Sequence, residues 1–251
     1  MLITVVVPTF NRAEFLPIAI RSLMRQREDA KIDVLIIDDG STDGTSRTIA
    51  ALASEYPTLR YMKQDHSGIP AARNAGLAGL LPETEFVTFL DSDDASPAGR
   101  FAADLPHLLA DPALDLVYGK MRMVDMIDRT TLAPPAGTSY RDACFPQLSL
   151  GLFRRSVIDK TGLFDPDLVL SEDVDFLMRM FECGARFLQT ETIALYYRRH
   201  SGNITARRAD MKRYFSLALL RSIKRRRSDP TRILRKPSFE LLPPMLLEDK
   251  C

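Results

Sequence analysis

Three carboxylates stand within four residues at Asp91-Ser92-Asp93-Asp94, directly after the apolar run FVTFL (86–90). Like charges held so close repel one another unless a cation offsets them. Hard divalent ions such as Mg²⁺ or Mn²⁺ take oxygen ligands of this kind while keeping positions open for phosphate oxygens. The same residues also read as an acidic turn that caps the next helix. A second acidic pair, Asp38-Asp39, closes DVLII (33–37) and precedes Gly40-Ser41. A carboxylate there can accept from a base N–H or a ribose hydroxyl, or it can cap a β-to-α turn in which glycine supplies positive φ. Arg73, in GIPAARNAG (68–76), opens a helix, where its planar fork can reach a diphosphate with help from the helix dipole. A lone arginine on a helix is also simply a solvated face.

Further along, Asp173 in Ser171-Glu172-Asp173 offers a carboxylate able to take a proton from a hydroxyl. The bland alternative places both acids in the first turn of a helix capped by Ser171, where the dipole favours negative charge. That dipole also lowers a carboxylate pKa, so Asp173 is expected to act by position more than by basicity. His200 ends YYRRH, where an imidazole could touch a metal or a phosphate oxygen and Arg198 or Arg199 could neutralise a diphosphate.

Residues from such separate stretches act together only if the fold converges them. The first ~120 residues alternate short β-branched or aromatic runs with helical periods, as βαβ units of a parallel sheet do. Strands are expected at 3–7, 33–37, 59–63, 86–90 and 114–118, with helices near 13–27, 43–55, 68–80 and 99–109. Thr42-Asp43 and Ser67 look like helix N-caps. In an open α/β sheet the loops beyond the carboxyl ends of parallel strands line one crevice, which is where Asp39 and Asp91 to Asp94 fall. Residues 121–140, with Pro134-Pro135 and Gly137, are expected to form a long loop or mobile lid. Then come a strand and short helix within 148–164, a capped helix over 171–184 ending at Gly184, and a strand over 192–200.

Composition bounds the rest. With 251 residues and 45% hydrophobic content, the chain can bury a full α/β core. Cys144, Cys183 and Cys251 form no CxxC pair, which argues against a disulfide framework or structural zinc and fits a reducing, cytoplasmic setting. The apolar start MLITVVV meets Pro8, and no run approaches the ~18 residues of a membrane span. A soluble protein, at most bound to a membrane surface, is expected.

Seven segments in order, VVVPTFNR, IIDDGSTDGT, GIPAARNAG, FLDSDD, GLFRRSVIDKTGLFD, SEDVDFLMR and YYRRH, resemble the family 2 glycosyltransferases over about residues 2–203. The resemblance implies a GT-A fold: a Rossmann-like, mostly parallel α/β sheet with helices on both faces. The nucleotide-binding half would span about 1–120 and the acceptor half about 121–203. It further implies an inverting transfer from a nucleoside-diphosphate sugar, UDP by family frequency, to a carbohydrate or lipid-linked acceptor. Pro8, Thr9, Phe10, Arg12, Asp39, Arg73, Asp91, Ser92 and Arg199 would then hold the donor. Asp93, Asp91 and His200 would hold Mn²⁺ or Mg²⁺, and Asp173 would be the catalytic base. Phe10 stands where the family often has tyrosine, so stacking survives and a hydroxyl contact is lost. The chain has no tryptophan and hence no QxxRW motif, which points to single addition rather than processive synthesis. A non-catalytic nucleotide- or membrane-surface-binding protein of the same fold, and a nucleotidyltransferase, are the rival readings.

Charge divides unevenly along the chain. Residues 1–203 hold 21 Lys and Arg against 28 Asp and Glu, and residues 204–251 hold 13 against 5. In the basic tail, Met211, Tyr214, Phe215, Ala218 and Leu219 recur at helical spacing and predict an amphipathic helix over about 206–227. It either packs on the domain or meets anionic lipid through about 206–236, and nucleic acid is not expected because the body is acidic.

Overall fold

The computed structural model describes residues 1–203 and 208–239; expectations for 204–207 and 240–251, Cys251 among them, lie outside the described residues. Strand β1 (Leu2–Thr9) is buried along its whole length. Its continuous Val5-Val6-Val7 run, rather than an alternating one, is what a parallel strand covered on both faces requires. β1 pairs in parallel with β2 (Lys31–Asp38) and β4 (Thr84–Phe89), and β2 in turn pairs in parallel with β3 (Arg60–Lys63). Helices α1 (Leu16–Met24), α2 (Thr45–Glu55) and α3 (Ile69–Ala78) make the crossovers. Thr9, Asp38 and the segment after Phe89 therefore emerge at one sheet edge, as expected.

α3 lies directly on β1, because a Cβ at Gly76 would fall 2.3 Å from Val6 Cγ1. After α4 (Arg100–Ala110) come β5 (Leu116–Val124), β6 (Arg141–Ala143), β7 (Gly151–Arg154), α5 (Arg155–Thr161), α6 (Glu172–Glu182), β8 (Phe187–Arg198) and α7 (Arg208–Ser228). The sheet order is β3-β2-β1-β4-β7-β5-β6, with β8 parallel to β5, while β7 and β6 run antiparallel to their neighbours. The result is a mixed, mostly parallel sheet, and one apolar core runs from Val5 through Phe153 to Leu195.

Several local expectations need correction. The segment expected to turn irregular at 121 instead continues β5 to Val124, with Met121 and Met123 buried and Lys120 and Arg122 half-exposed. This alternation is a strand signal that the prolines downstream obscure. The loop that follows is fastened rather than free: Asp128 Oδ1 accepts from the amides of Thr130 and Thr131, and Arg25 donates to Thr131 O at 2.8 Å. β8 starts five residues before the expected 192. Thr42 and Ser67 do not cap helices; Gly44 and Gly68 occupy those positions. Asp43 does accept a first-turn amide, that of Thr45 at 2.8 Å.

Of its expected apolar face α7 turns Phe215 and Ala218 inward and leaves Leu219 exposed. Ala218 is fully buried against Val174 and Met178 of α6, with Phe215 beside them. Arg225 of α7 also reaches the buried carboxylates of Asp175 and Glu182, at 2.7 Å each. Beyond α7 the chain returns over the core, where Phe239 lies edge-on to Tyr118 with centroids 5.7 Å apart.

Candidate active site

The loops after β1 and β2 are joined by Asn11, which adopts a left-handed φ of 52°. From there its Oδ1 accepts from Thr42 N at 2.8 Å and its own amide donates to Ser41 Oγ at 2.9 Å. Asp39 N donates to Thr9 O at 2.9 Å, closing the two loops on each other. The Asp39 carboxylate accepts from Gln64 Nε2 at 2.7 Å and from the amides of Ser67 and Gly68 at 2.8 Å each. It thereby fastens the two residues that lead into α3. His66 Nδ1 lies 2.9 Å from the same carboxylate, and the His66 ring stacks on Phe10 with centroids 4.1 Å apart.

The acidic loop after β4 is held at both ends. Arg73 Nη2 donates to Asp91 Oδ1 at 3.0 Å. Arg198 N donates to Asp94 Oδ1 at 2.8 Å, beside a backbone bridge between Ala95 and Tyr196. Those ties bring the end of β8 onto the loop, so that His200 Nε2 and Arg12 Nε both stand 3.2 Å from Asp93 Oδ2. Phe15 stacks on the His200 ring at 4.7 Å and fixes its orientation. Burial, followed by the charges of Asp93 and Asp91, pushes the Asp94 carboxyl well above the usual carboxylate range.

Arg73 is the junction of the site. It is 3% exposed, and its Nη1 donates to Glu172 at the start of α6 while Nη2 holds Asp91. The next side chain, Asn74, donates to Phe164 O at 3.0 Å and accepts from Phe164 N at 2.8 Å. α3 thus binds the nucleotide-side loops to the segment that leads into α6. Asp173 sits half-buried beside this junction, with Oδ1 accepting from Val174 N at 2.8 Å. Loss of solvent, and after it the neighbouring Glu172, push its carboxyl up to about 7 against the pull of Arg73. The expectation that the helix dipole would leave Asp173 a weak base is therefore overturned: burial outweighs the dipole. Ser171, at the N-cap with φ 57°, makes no capping bond, and its Oγ is buried without a partner among the described residues.

A carboxyl pushed up to about 7 beside Glu172, the buried Arg73 guanidinium and the loop carboxylate Asp91 is an arrangement suited to proton abstraction beside a phosphorylated group. The family model described as "Glycosyl transferase family 2" matches residues 4–160, more than half of the chain. The chain belongs to glycosyl transferase family 2.

Among curated relatives, the minor teichoic acid biosynthesis protein GgaA of Bacillus subtilis (strain 168) is 26% identical over 210 residues, covering 78% of this chain and 47% of GgaA. The chain thus spans about half the length of that relative. Among solved structures, S. aureus TarS in complex with UDP-GlcNAc superposes with a TM-score of 0.68 at 20% identity, covering 88% of this chain and 66% of the other. The mannosyltransferase PcManGT from Pyrobaculum calidifontis, in complex with GDP-Man and Mn²⁺, gives 0.66 at 23% identity, covering 88% and 64%. These likenesses establish the GT-A fold expected from the motifs.

Within this family 2 site, the expected donor and metal residues do not all gather. Pro8 and Thr9 end the buried β1, Phe10 is exposed at the rim on His66, and Ser92 is buried between Asp91 and Asp93. Arg12 reaches Asp93. Arg199 turns away, pairing with Asp125 at 2.7 Å. Arg198 occupies the inner position instead, over the Phe15 ring and beside Asp94, because strand alternation sends consecutive side chains to opposite faces.

The donors also fit a divalent ion that completes its shell with substrate. Among the described residues no three His, Cys, Asp or Glu side chains group as a self-sufficient metal cage. Asp93 Oδ2 and His200 Nε2 nevertheless converge at 3.2 Å. Two protein donors with the rest left to phosphate and water is how Mg²⁺-type sites are commonly built. His66 was not singled out by the sequence, Glu172 was named only as the neighbour of Asp173, and Asp94 and Arg198 were named only beside Asp93 and Arg199.

Proposed function

We propose that this chain transfers a sugar from a nucleoside-diphosphate sugar to an acceptor hydroxyl with inversion at the anomeric carbon. The observation that carries the proposal is the Asp173 carboxyl, pushed up to about 7 beside the Arg73 junction with Asp91. A base poised near working pH combines the right protonation state with a strong enough drive for proton transfer. In the reaction, Asp173 accepts the proton of the attacking hydroxyl as the oxygen bonds to the anomeric carbon and the bond to the diphosphate breaks. Arg73 holds Asp91 and Glu172 in ion pairs, and Asp173 beside them makes no ion pair with it. Arg12 and Arg198 supply positive charge near the departing phosphates.

Asp93 and His200 are the residues that would hold Mn²⁺ or Mg²⁺, which when bound offsets charge building on the leaving nucleoside diphosphate. The base would stack on Phe10 in place of His66, the more exposed of the two rings at 58% of its side chain. Asp39 would then meet a base N–H with the lone pair that His66 now faces. UDP is the favoured nucleotide. The name of GgaA, a relative in minor teichoic acid biosynthesis, supports an acceptor in cell-surface polysaccharide, lipopolysaccharide or glycolipid assembly. A cytoplasmic enzyme placed against the membrane through 206–236 suits a lipid-linked acceptor.

A panel of UDP-, GDP- and dTDP-sugars, assayed for the phosphate species released with Mn²⁺ or with EDTA, tests the reading. Nucleoside diphosphate release supported by Mn²⁺ sustains it. Release of inorganic diphosphate when the nucleotide sugars are replaced by a nucleoside triphosphate and a sugar 1-phosphate indicates a nucleotidyltransferase, and binding without any release indicates a non-catalytic protein.

A further inference from the structure

The amphipathic pattern that forms α7 is used in part on the inside. Phe215 and Ala218 pack on the domain, and Ser222 and Arg225 continue that inward line. A second apolar set is left on the outside: Leu219 at 36% exposure, Leu220 at 61% and Ile223 at 37%. At 100° per residue these three span about 100° of the helix circumference; the exposed Lys212 and Arg227 fall inside that arc, and Arg213 and Lys224 lie within about 40° of its edge. No acidic residue occurs anywhere from 211 to 228.

Solvent exposure of a leucine–isoleucine stripe costs free energy unless something covers it, and the stripe lies on a convex helix rather than in a groove. Its basic border selects an anionic occupant, and its convexity suits a soft, planar one. We infer that the outer face of α7 docks on an anionic lipid surface. Leu219, Leu220 and Ile223 enter the headgroup–acyl boundary, and Lys212, Arg213, Lys224 and Arg227 meet lipid phosphates. This is the behaviour of interfacial helices, except that here the opposite face is already anchored to a folded domain. The inference specifies the membrane part of the functional reading above and does not require the transfer reaction.

The full chain is mixed with vesicles of phosphatidylcholine alone, or with one quarter phosphatidylglycerol, and sedimented. Binding to the anionic vesicles is expected to exceed binding to the neutral ones by at least about tenfold and to weaken at high salt. Replacing Lys224 and Arg227 by Glu removes attraction at about fivefold per site or more. L220D combined with I223D is expected to release the protein from anionic vesicles by at least about tenfold. Both double variants alter exposed positions, so circular dichroism and nucleotide-sugar hydrolysis without vesicles stay at the wild-type level. Equal binding to both vesicle types, binding untouched by either variant, or self-association through this face without vesicle binding would overturn the inference. Hydrolysis measured in the same samples separates that outcome from failure of the transferase reading.

Discussion

Arg73 donates from Nη1 to the carboxylate of Glu172, joining two helices whose contributing residues are 99 positions apart in sequence. The same guanidinium holds Asp91 with its other arm, so the helix carrying Asp173 and the loop carrying Asp93 keep a fixed relation. Removing the fork leaves the buried Glu172 without its cation. R73A is expected to lose about 3–5 kcal/mol of stability, and R73K to recover only part of it because an ammonium cannot span both carboxylates. Urea midpoints of the three proteins check this; a midpoint for R73A equal to wild type would remove Arg73 from its place as the junction.

The titration of Asp173 has two consequences of opposite sign. As base it must be deprotonated, so kcat/KM should rise with pH through about 7. The folded chain holds this proton up to about 7, whereas an unfolded one releases it near 3.8. The carboxyl therefore costs stability progressively as pH rises between those values. D173N should abolish the rise in kcat/KM while melting higher than wild type above neutrality. Parallel pH–rate and pH–melting series read both effects.

Metal binding should depend on the nucleotide. Asp93 and His200 offer two donors, and Arg12 competes for the same Asp93 oxygen. Mn²⁺ alone is expected to shift the melting temperature little, and Mn²⁺ with UDP to shift it more than the sum of each alone. H200A should erase that surplus. Thermal melts with a chelator control measure it, and a full shift from Mn²⁺ alone would contradict a site completed by substrate.

Arg225 provides a stability test remote from the donor loops. It serves two buried carboxylates, Asp175 and Glu182, and R225A should cost about 3 kcal/mol or more. R221A, which loses a half-exposed pair with Asp165, should cost about 1 kcal/mol or less. Equal losses in denaturant titrations would mean that α7 does not brace α6 in this way.

How much of this was legible in the sequence follows from the range of each interaction. The strands that end at Thr9, Asp38 and Phe89, and hence the edge where the acidic loops meet, follow from local apolar runs and a general rule for parallel sheets. The family motifs pointed to Asp93, His200 and Asp173, of which Asp93 and His200 meet at 3.2 Å. What stayed hidden depends on residues far apart in the chain. Asp39 holds the amides of Ser67 and Gly68, 28 and 29 residues later, just ahead of α3. Of Arg198 and Arg199, both of which the sequence offered, Arg198 takes the inner place because the register of β8 is fixed by its pairing with β5. The raised Asp173 carboxyl reflects burial that no local pattern encodes. The inner and outer stripes of α7 overlap in the sequence, and only packing against Val174 and Met178 separates them.

The central claim is that Asp173 takes the acceptor proton in a transfer from a nucleotide sugar. Single-turnover release of nucleoside diphosphate by wild type and D173A, with Mn²⁺ and an accepted donor at saturation, tests it most directly. The expected result is a loss of at least about 10²-fold in rate with donor affinity retained within a few-fold. Release by D173A at the wild-type rate would contradict it.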